Sequence, residues 1–129
     1  MVAQNQWDLV TPLADIVEYG PPELKIDPNY RKLTTGMVIG QSSGLPNWDA
    51  TGFITTPGSH FIYSGVAFEF LQKAIETKMN TKWETLAESF FDKVGMQNST
   101  FKQLAASRLK DGNRSVARAH QADGTPNPV

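Results

Sequence analysis

The apolar residues between Ser64 and Lys78 constrain the fold of this chain more than any other feature of its sequence. They recur three and four positions apart, which is the spacing of one face of an amphipathic helix. The residues on this face are Val66, Ala67, Phe70, Leu71, Ala74 and Ile75. The segment is therefore predicted to form a helix that buries this face in the core.

A second amphipathic helix is predicted directly after the first. The pattern Thr81-Lys82-Trp83-Glu84 matches a capping box, which marks the start of a helix, and Gly95 is well placed to end it. Its apolar stripe is expected to lie in the core, with Trp83, Phe90 and Phe91 as the large members.

The first half of the chain is predicted to contain shorter elements. Thr11-Pro12 is a favourable helix start, since the threonine hydroxyl can cap the helix and proline fits its first position; this helix is expected to end at Gly20. Residues 21–32 have the composition of a loop. A short helix from about Thr35 to Gln41, capped by Thr34, should precede a long loop at 42–59. Near the other end, residues 116–124 are predicted to form a strand running into a hairpin turn.

Composition excludes several classes of function. The chain has 129 residues, enough for one small domain. Its 12 Lys and Arg residues balance 13 Asp and Glu residues, which leaves no electrostatic basis for binding nucleic acid or a membrane surface. It has no cysteine, and its two histidines lack a carboxylate pair at ligand spacing, so neither a metal site nor another cofactor is predicted.

Three blocks of sequence point to a family. Tyr63-Ser64-Gly65 opens the predicted central helix and follows Pro57-Gly58; upstream lie Leu33–Val38 with Ser42–Trp48, and downstream lies Phe90–Met96. In this order and spacing, the blocks resemble the β-lactamase-like serine hydrolases, which include class C β-lactamases, penicillin-binding proteins and related esterases. The resemblance extends over roughly residues 7–124.

The resemblance implies a mainly α fold. It corresponds to the helical half of the α/β β-lactamase and penicillin-binding-protein-like fold, with at most a short strand pair near the C-terminus, and residues 1–129 would form a single partial domain. In the family, a Ser-x-x-Lys motif supplies the nucleophile and its base, and a Lys-Thr-Gly-type motif lines the site. The corresponding segments would lie before Met1 and after Val129, so the isolated chain is expected to be inactive.

The resemblance also assigns site residues. Tyr63 matches the family's tyrosine, which moves a proton between nucleophile and leaving group, and is the candidate catalytic residue. Ser64, Gly65, Trp48 and His60 are candidates for substrate binding. Gly65 departs from the commoner asparagine, whose amide would hydrogen-bond substrate, and this departure weighs against β-lactam hydrolysis in particular. Each of three candidates also has a purely structural explanation. Tyr63 could simply pack its ring at the entrance of the helix, Trp48 could anchor the loop onto the core, and His60 could be a solvated loop residue.

Four patterns mimic the missing motifs. Gly40-Gln41-Ser42-Ser43-Gly44 matches Gly-x-Ser-x-Gly, but that nucleophile elbow needs a strand before it and a helix after it. The Ser-x-x-Lys strings at Ser99 and Ser107 follow Tyr63, whereas the family places its nucleophile first. Lys93-Val94-Gly95 resembles the third motif but is predicted to close a helix. We interpret all four as chance matches.

Two hypotheses of different classes follow. In the first, the chain is part of a serine hydrolase that acts by acyl transfer on a small-molecule ester, amide or peptide. In the second, it is a stand-alone truncated relative that serves as a non-catalytic binding or self-assembling module. Since the sheet of the complete fold would be absent, an apolar face is expected to be exposed. The isolated chain is then expected either to form a homodimer that covers this face or to be only marginally stable. The family is usually periplasmic or secreted, but this sequence fixes no compartment.

Overall fold

The computed structural model describes residues 6–101 and 120–125, and within them the chain is mainly helical with no β-strand. The described part contains helices α1 (Pro22–Lys25), α2 (Thr35–Ile39), α3 (Gly65–Met79) and α4 (Trp83–Val94), and 3₁₀ turns at Leu13–Asp15 and Tyr30–Lys32. The predicted fold class is confirmed. The strand expected at 116–119 lies outside the described residues.

The chain divides into two compact units, Met1–Trp83 and Glu84–Val129. The first unit contains α1, α2 and α3, and the second begins within α4.

Helix α3 is the centre of the first unit. The six apolar residues predicted to share a face are all buried. Phe70 is fully buried, and its ring stacks against the rings of Tyr19 and Tyr30 at centroid distances of 5.1 and 5.5 Å. The core is completed by fully buried aliphatic side chains from the elements around α3, namely Leu13, Leu24, Leu33, Val38 and Leu45.

Helix α2 forms where it was predicted. Thr34 caps it, its hydroxyl accepting a hydrogen bond from the Met37 N–H at 3.4 Å. Tertiary contacts hold this short, glycine-containing helix, since Val38 is fully buried and the Trp7 indole N–H donates to the Thr35 hydroxyl at 2.9 Å. The helix ends at Ile39.

The segment before α2 differs from the prediction at two points. Thr11 does not cap a helix: its hydroxyl donates to the Asp8 carboxylate at 2.7 Å, and only the 3₁₀ turn Leu13–Asp15 follows. Residues 21–32 are not simply a loop, because Pro22 occupies the first position of α1 and Tyr30–Lys32 form a second 3₁₀ turn.

Helix α4 begins at Trp83, and Gly95 follows its end with a φ of +74°, as a C′ glycine should. The expectation that its aromatic residues lie in the core is wrong for Phe90, which is 58% exposed. Phe91 instead makes a local contact within the second unit, stacking on Phe101 at 5.6 Å.

Candidate functional site

Ser64 fixes the entrance of helix α3. It is the N-cap residue, in extended conformation, and its hydroxyl accepts a hydrogen bond from the Ala67 N–H at 3.0 Å. The same hydroxyl donates to the carbonyl oxygen of Pro46 at 2.8 Å. The side chain is almost fully buried, so a single hydroxyl both caps the helix and ties it to the long loop.

Gln41 holds the segment that leads into the helix. Its side-chain oxygen accepts from the Ser64 N–H at 2.9 Å, and its backbone oxygen accepts from the Ile62 N–H at 2.7 Å. Gln41 itself has a φ of +53°, in the left-handed region that non-glycine residues seldom adopt. These two bonds bracket Tyr63 and fix the backbone on both sides of it.

Asn47 binds the backbone N–H of Gly65 with its side-chain oxygen, as Gln41 binds that of Ser64. Its side-chain oxygen accepts a hydrogen bond from the Gly65 N–H at 2.8 Å, which satisfies a donor that the first turn of a helix leaves without a partner. A Cβ atom at position 65 would approach both the backbone and side-chain oxygens of Asn47 to 3.1 Å. Glycine at 65 and asparagine at 47 therefore fit each other.

Tyr63 is exposed to solvent although its backbone is held by hydrogen bonds on both sides. It is 66% exposed, whereas Ser64 beside it is buried, and its hydroxyl forms no hydrogen bond within the described residues. It therefore does not pack at the helix entrance as an ordinary core aromatic. A phenol held on a rigid backbone with its hydroxyl free is suited to exchanging a proton with another group.

Trp48 and His60 are both exposed in the loop that borders this entrance. Trp48, at 76% exposure, does not anchor the loop onto the core. His60 lies 2.9 Å, through Nδ1, from the hydroxyl of its neighbour Ser59. Because that hydroxyl donates its proton to the Thr56 carbonyl oxygen, it accepts from His60, so the pair is not a base acting on a nucleophile.

The loop at 42–59 closes on itself around Gly44. The Gly44 carbonyl oxygen accepts from the Ile54 N–H at 2.8 Å, and the Ser42 carbonyl oxygen accepts from the Gly58 N–H at 2.7 Å. Gly44 has a φ of +76°, and a Cβ atom there would lie 2.2 Å from the Thr55 carbonyl oxygen, so only glycine fits. The closed loop brings Pro46 and Asn47 against the start of α3.

The described serines that match a nucleophile motif lack the structural setting of that motif. Ser42 follows helix α2 rather than a strand, and Ser43 is fully buried, accepting from the Leu45 N–H at 3.2 Å. Ser99 lies in a turn after α4 and opens no described helix. The string beginning at Ser107 lies outside the described residues, whereas Lys93-Val94-Gly95 closes α4, as predicted.

Three other kinds of functional feature can be assessed in the described residues: a metal site, a membrane-spanning helix and a pocket. No group of three or more histidine and acidic residues there could hold a metal ion. No helix among residues 6–101 and 120–125 is long and apolar enough to cross a membrane. An open depression of about 260 Å³ lies at the far end of α3 from Tyr63, lined by Lys73, Glu76, Thr77, Asn80, Thr81 and Lys82.

Sequence reasoning missed Gln41 and Asn47 as parts of the site. Both belong to patterns that it examined, but each acts on residues 18 to 23 positions later. Rules for helix capping consider only residues next to the helix, so they identify Ser64 and cannot identify partners from a distant loop.

The fold has a known counterpart. The chain is similar to the octameric penicillin-binding protein homologue from Pyrococcus abyssi, with a TM-score of 0.69 and 19% sequence identity. The similarity covers 98% of this chain and 34% of that one, so this chain spans about a third of the length of that protein. No family model matches the chain, and no curated protein matches it. At this identity the likeness shows the fold: the chain forms the helical portion of a penicillin-binding-protein-like fold.

Proposed function

We propose that this chain supplies the tyrosine-bearing, helical side of a serine hydrolase site that acts on esters or amides by acyl transfer. The observation that carries the proposal is the presentation of Tyr63. The Ile62 and Ser64 N–H groups donate hydrogen bonds to Gln41 and so fix the backbone on both sides of Tyr63, while the Tyr63 side chain remains exposed. The likeness to a penicillin-binding protein homologue supports the proposal at the level of the fold.

In this proposal Tyr63 carries a proton between the nucleophilic serine and the leaving group. As the phenolate, it takes the proton from the serine hydroxyl while the serine oxygen bonds to the acyl carbon. It then returns that proton to the alcohol or amine that leaves as the ester or amide bond of the substrate breaks. A tyrosine in water has a pKa of about 10, so the complete site must hold a cation close to this hydroxyl for it to act as a base at neutral pH. No described residue bonds the Tyr63 hydroxyl, so the serine and the cation would come from elsewhere in the protein.

The first test uses intact-mass spectrometry of the purified chain after incubation with a fluorophosphonate and, separately, with benzylpenicillin. We expect no covalent adduct on the folded chain. An adduct on one serine would mean that residues 1–129 hold their own nucleophile, and it would overturn the division of the site proposed here.

The second test uses the complete product of the reading frame that contains this chain. We expect the fluorophosphonate to label a serine outside residues 1–129, and Tyr63→Phe to slow turnover of p-nitrophenyl butyrate by a factor of about 10² to 10⁴. Tyr19→Phe is the matched control, because it removes another tyrosine hydroxyl from the same unit and should leave the rate nearly unchanged. Equal rates for both variants would exclude a proton-transfer role for Tyr63.

A stand-alone, non-catalytic module is the second candidate function. The observation that favours it is the number of large apolar side chains left exposed around the same segment, including Trp48, Phe61 and Tyr63. Such side chains suit a protein interface as well as a substrate groove. A reading frame that starts and stops at the ends of this chain would support the module and contradict the hydrolase.

A further inference from the structure

Gly65 carries no side chain at the position where the resemblance to the β-lactamase-like serine hydrolases implies an asparagine whose amide would hydrogen-bond substrate. Gly65 is the first residue of α3 and lies two positions after Tyr63. Glycine offers no donor there. The structure shows what fills the space instead: the atoms nearest to a Cβ built at position 65 are the backbone and side-chain oxygens of Asn47, each at 3.1 Å.

The orientation of the Asn47 amide is fixed by its partner. The Gly65 N–H is a donor, so the atom facing it at 2.8 Å must be the amide oxygen and not the nitrogen. The NH₂ group of Asn47 is therefore turned away from the Gly65 nitrogen. No acceptor for it is found in the described part of the chain, and the side chain is only half-buried.

We propose that the Asn47 side-chain amide donates a hydrogen bond to the carbonyl oxygen of the ester or amide substrate, in place of the side chain that Gly65 lacks. This inference rests on the proposed function. It assigns the substrate contact to the long loop, with the helix serving as the support that orients the amide. The substrate class that follows is an acyl compound whose own carbonyl accepts from an uncharged NH₂ group.

The loop is held rigidly enough for this task. Pro46 accepts from the Ser64 hydroxyl at 2.8 Å, and Asn47 accepts from the Gly65 N–H, so consecutive residues of the loop bind consecutive residues of the helix entrance. A donor fixed in this way loses little freedom when substrate binds, which favours binding.

The test separates the two ends of the Asn47 amide. Asn47→Asp keeps an oxygen for the Gly65 N–H and places a carboxylate at a helix N-terminus, which is a favourable location, but it removes the NH₂ donor. We expect its melting temperature to equal or exceed that of the wild type. Asn29→Asp, the same change at another half-buried position away from α3, is the matched control.

Binding is measured on the ¹⁵N-labelled chain by NMR titration with two probes. Benzylpenicillin is an anion that carries a phenylacetamide group, and phenylacetamide is the neutral group alone. In the wild type, we expect the side-chain NH₂ resonances of Asn47 and the backbone amides of Tyr63 and Ser64 to shift saturably. In Asn47→Asp, both probes should bind about 3- to 10-fold more weakly, as expected for the loss of one hydrogen bond. Asn29→Asp should bind both like the wild type.

A compensating pair of substitutions gives an independent arm. Asn47→Ala removes the amide and its side-chain oxygen from the space beside position 65. The backbone oxygen of residue 47 remains 3.1 Å from a Cβ atom there, so Gly65→Asn in the same chain can place a new amide after a shift of a few tenths of an ångström in the loop. Asn47→Ala alone should lose the same binding as Asn47→Asp and melt at a lower temperature. Adding Gly65→Asn should restore binding of phenylacetamide, which a merely structural role for Asn47 would not produce.

The remaining outcomes of the titration test the inference separately from the proposed function. Weaker binding of benzylpenicillin alone by Asn47→Asp would show charge repulsion rather than a lost donor, and would overturn the inference. Unchanged binding of both probes, with shifts still seen at Tyr63 and Ser64, would overturn it and leave the proposed function standing. The absence of saturable shifts anywhere in the wild-type chain would overturn the inference but not the proposed function, because that function places the serine and the cation outside this chain.

Discussion

Ser64 is the residue on which the candidate site depends most for its shape. Its hydroxyl accepts from Ala67 and donates to Pro46, and it is almost fully buried. Ser64→Ala should therefore lower the free energy of unfolding by about 1–3 kcal/mol, because it removes a helix cap and leaves the partly buried carbonyl oxygen of Pro46 without its donor. Urea denaturation followed by tryptophan fluorescence measures the change.

Ser59→Ala is the control for that prediction. Ser59 is exposed, and its loss should change the free energy of unfolding by no more than about 0.5 kcal/mol. If Ser64→Ala proved as stable as Ser59→Ala, the hydrogen bonds of Ser64 would not be holding the loop to the helix.

Two threonines show what local sequence patterns can and cannot predict about helix caps. Thr34 was predicted to cap α2 and does so, whereas Thr11 was predicted to cap a helix and instead binds Asp8. Both threonines fit the same local pattern. The difference is the carboxylate of Asp8, three residues before Thr11, which accepts a hydrogen bond from the Thr11 hydroxyl. Capping rules that consider only the helix do not include this competing hydrogen bond. Gln41 and Asn47 were missed for a related reason, since loop closure brings them to α3.

At the scale of elements, predictions succeeded where apolar periodicity is long. Helix α3 was expected from about Ser64 to Lys78 and spans Gly65–Met79, because four turns of buried residues specify one face. The four residues of α1 complete barely one turn and offer no period to detect, so their segment was predicted as a loop. Packing of Leu24, which is fully buried, holds α1 in place.

The contact between Tyr19 and α3 predicts a dependence of stability on pH. Burial raises the pKa of Tyr19 to about 12, together with the Glu69 carboxylate, which accepts a hydrogen bond from the Tyr19 hydroxyl at 2.6 Å. Since the unfolded value is about 10, the folded chain holds this proton more tightly. The resulting stabilisation is complete below about pH 10 and is lost as the pH rises through about 12.

Tyr19→Phe tests this contribution. Urea midpoints of the wild type and the variant should differ more at about pH 9 than at about pH 12, because only the wild type loses the Tyr19 contribution between them. All other ionisable groups are common to both proteins, so their contributions cancel in the difference. A constant difference across the range would show that the Tyr19 hydroxyl contributes nothing that depends on its proton.

At the scale of the whole molecule, the exposed apolar side chains need an explanation. Trp48 and Phe61 are 76% and 75% exposed, and both lie in the segment that borders the candidate site. The helical portion of a penicillin-binding-protein-like fold would leave such side chains in water when it stands alone. The amino-acid sequence predicted an exposed apolar face from the absence of a sheet, but it could not say which residues form it.

We propose that two copies of the isolated chain associate through these side chains. Light scattering should give a mass that rises with concentration from the 14.2 kDa of one chain towards twice that value. Replacing Trp48 and Phe61 together by serine should keep the chain monomeric, because it removes the apolar area that drives association. Val10→Ser is the control, since Val10 is equally exposed but lies outside that segment. A wild-type chain that stays monomeric at all concentrations and melts cooperatively would contradict the dimer, and it would leave Trp48 and Phe61 to a substrate or to the rest of a larger enzyme.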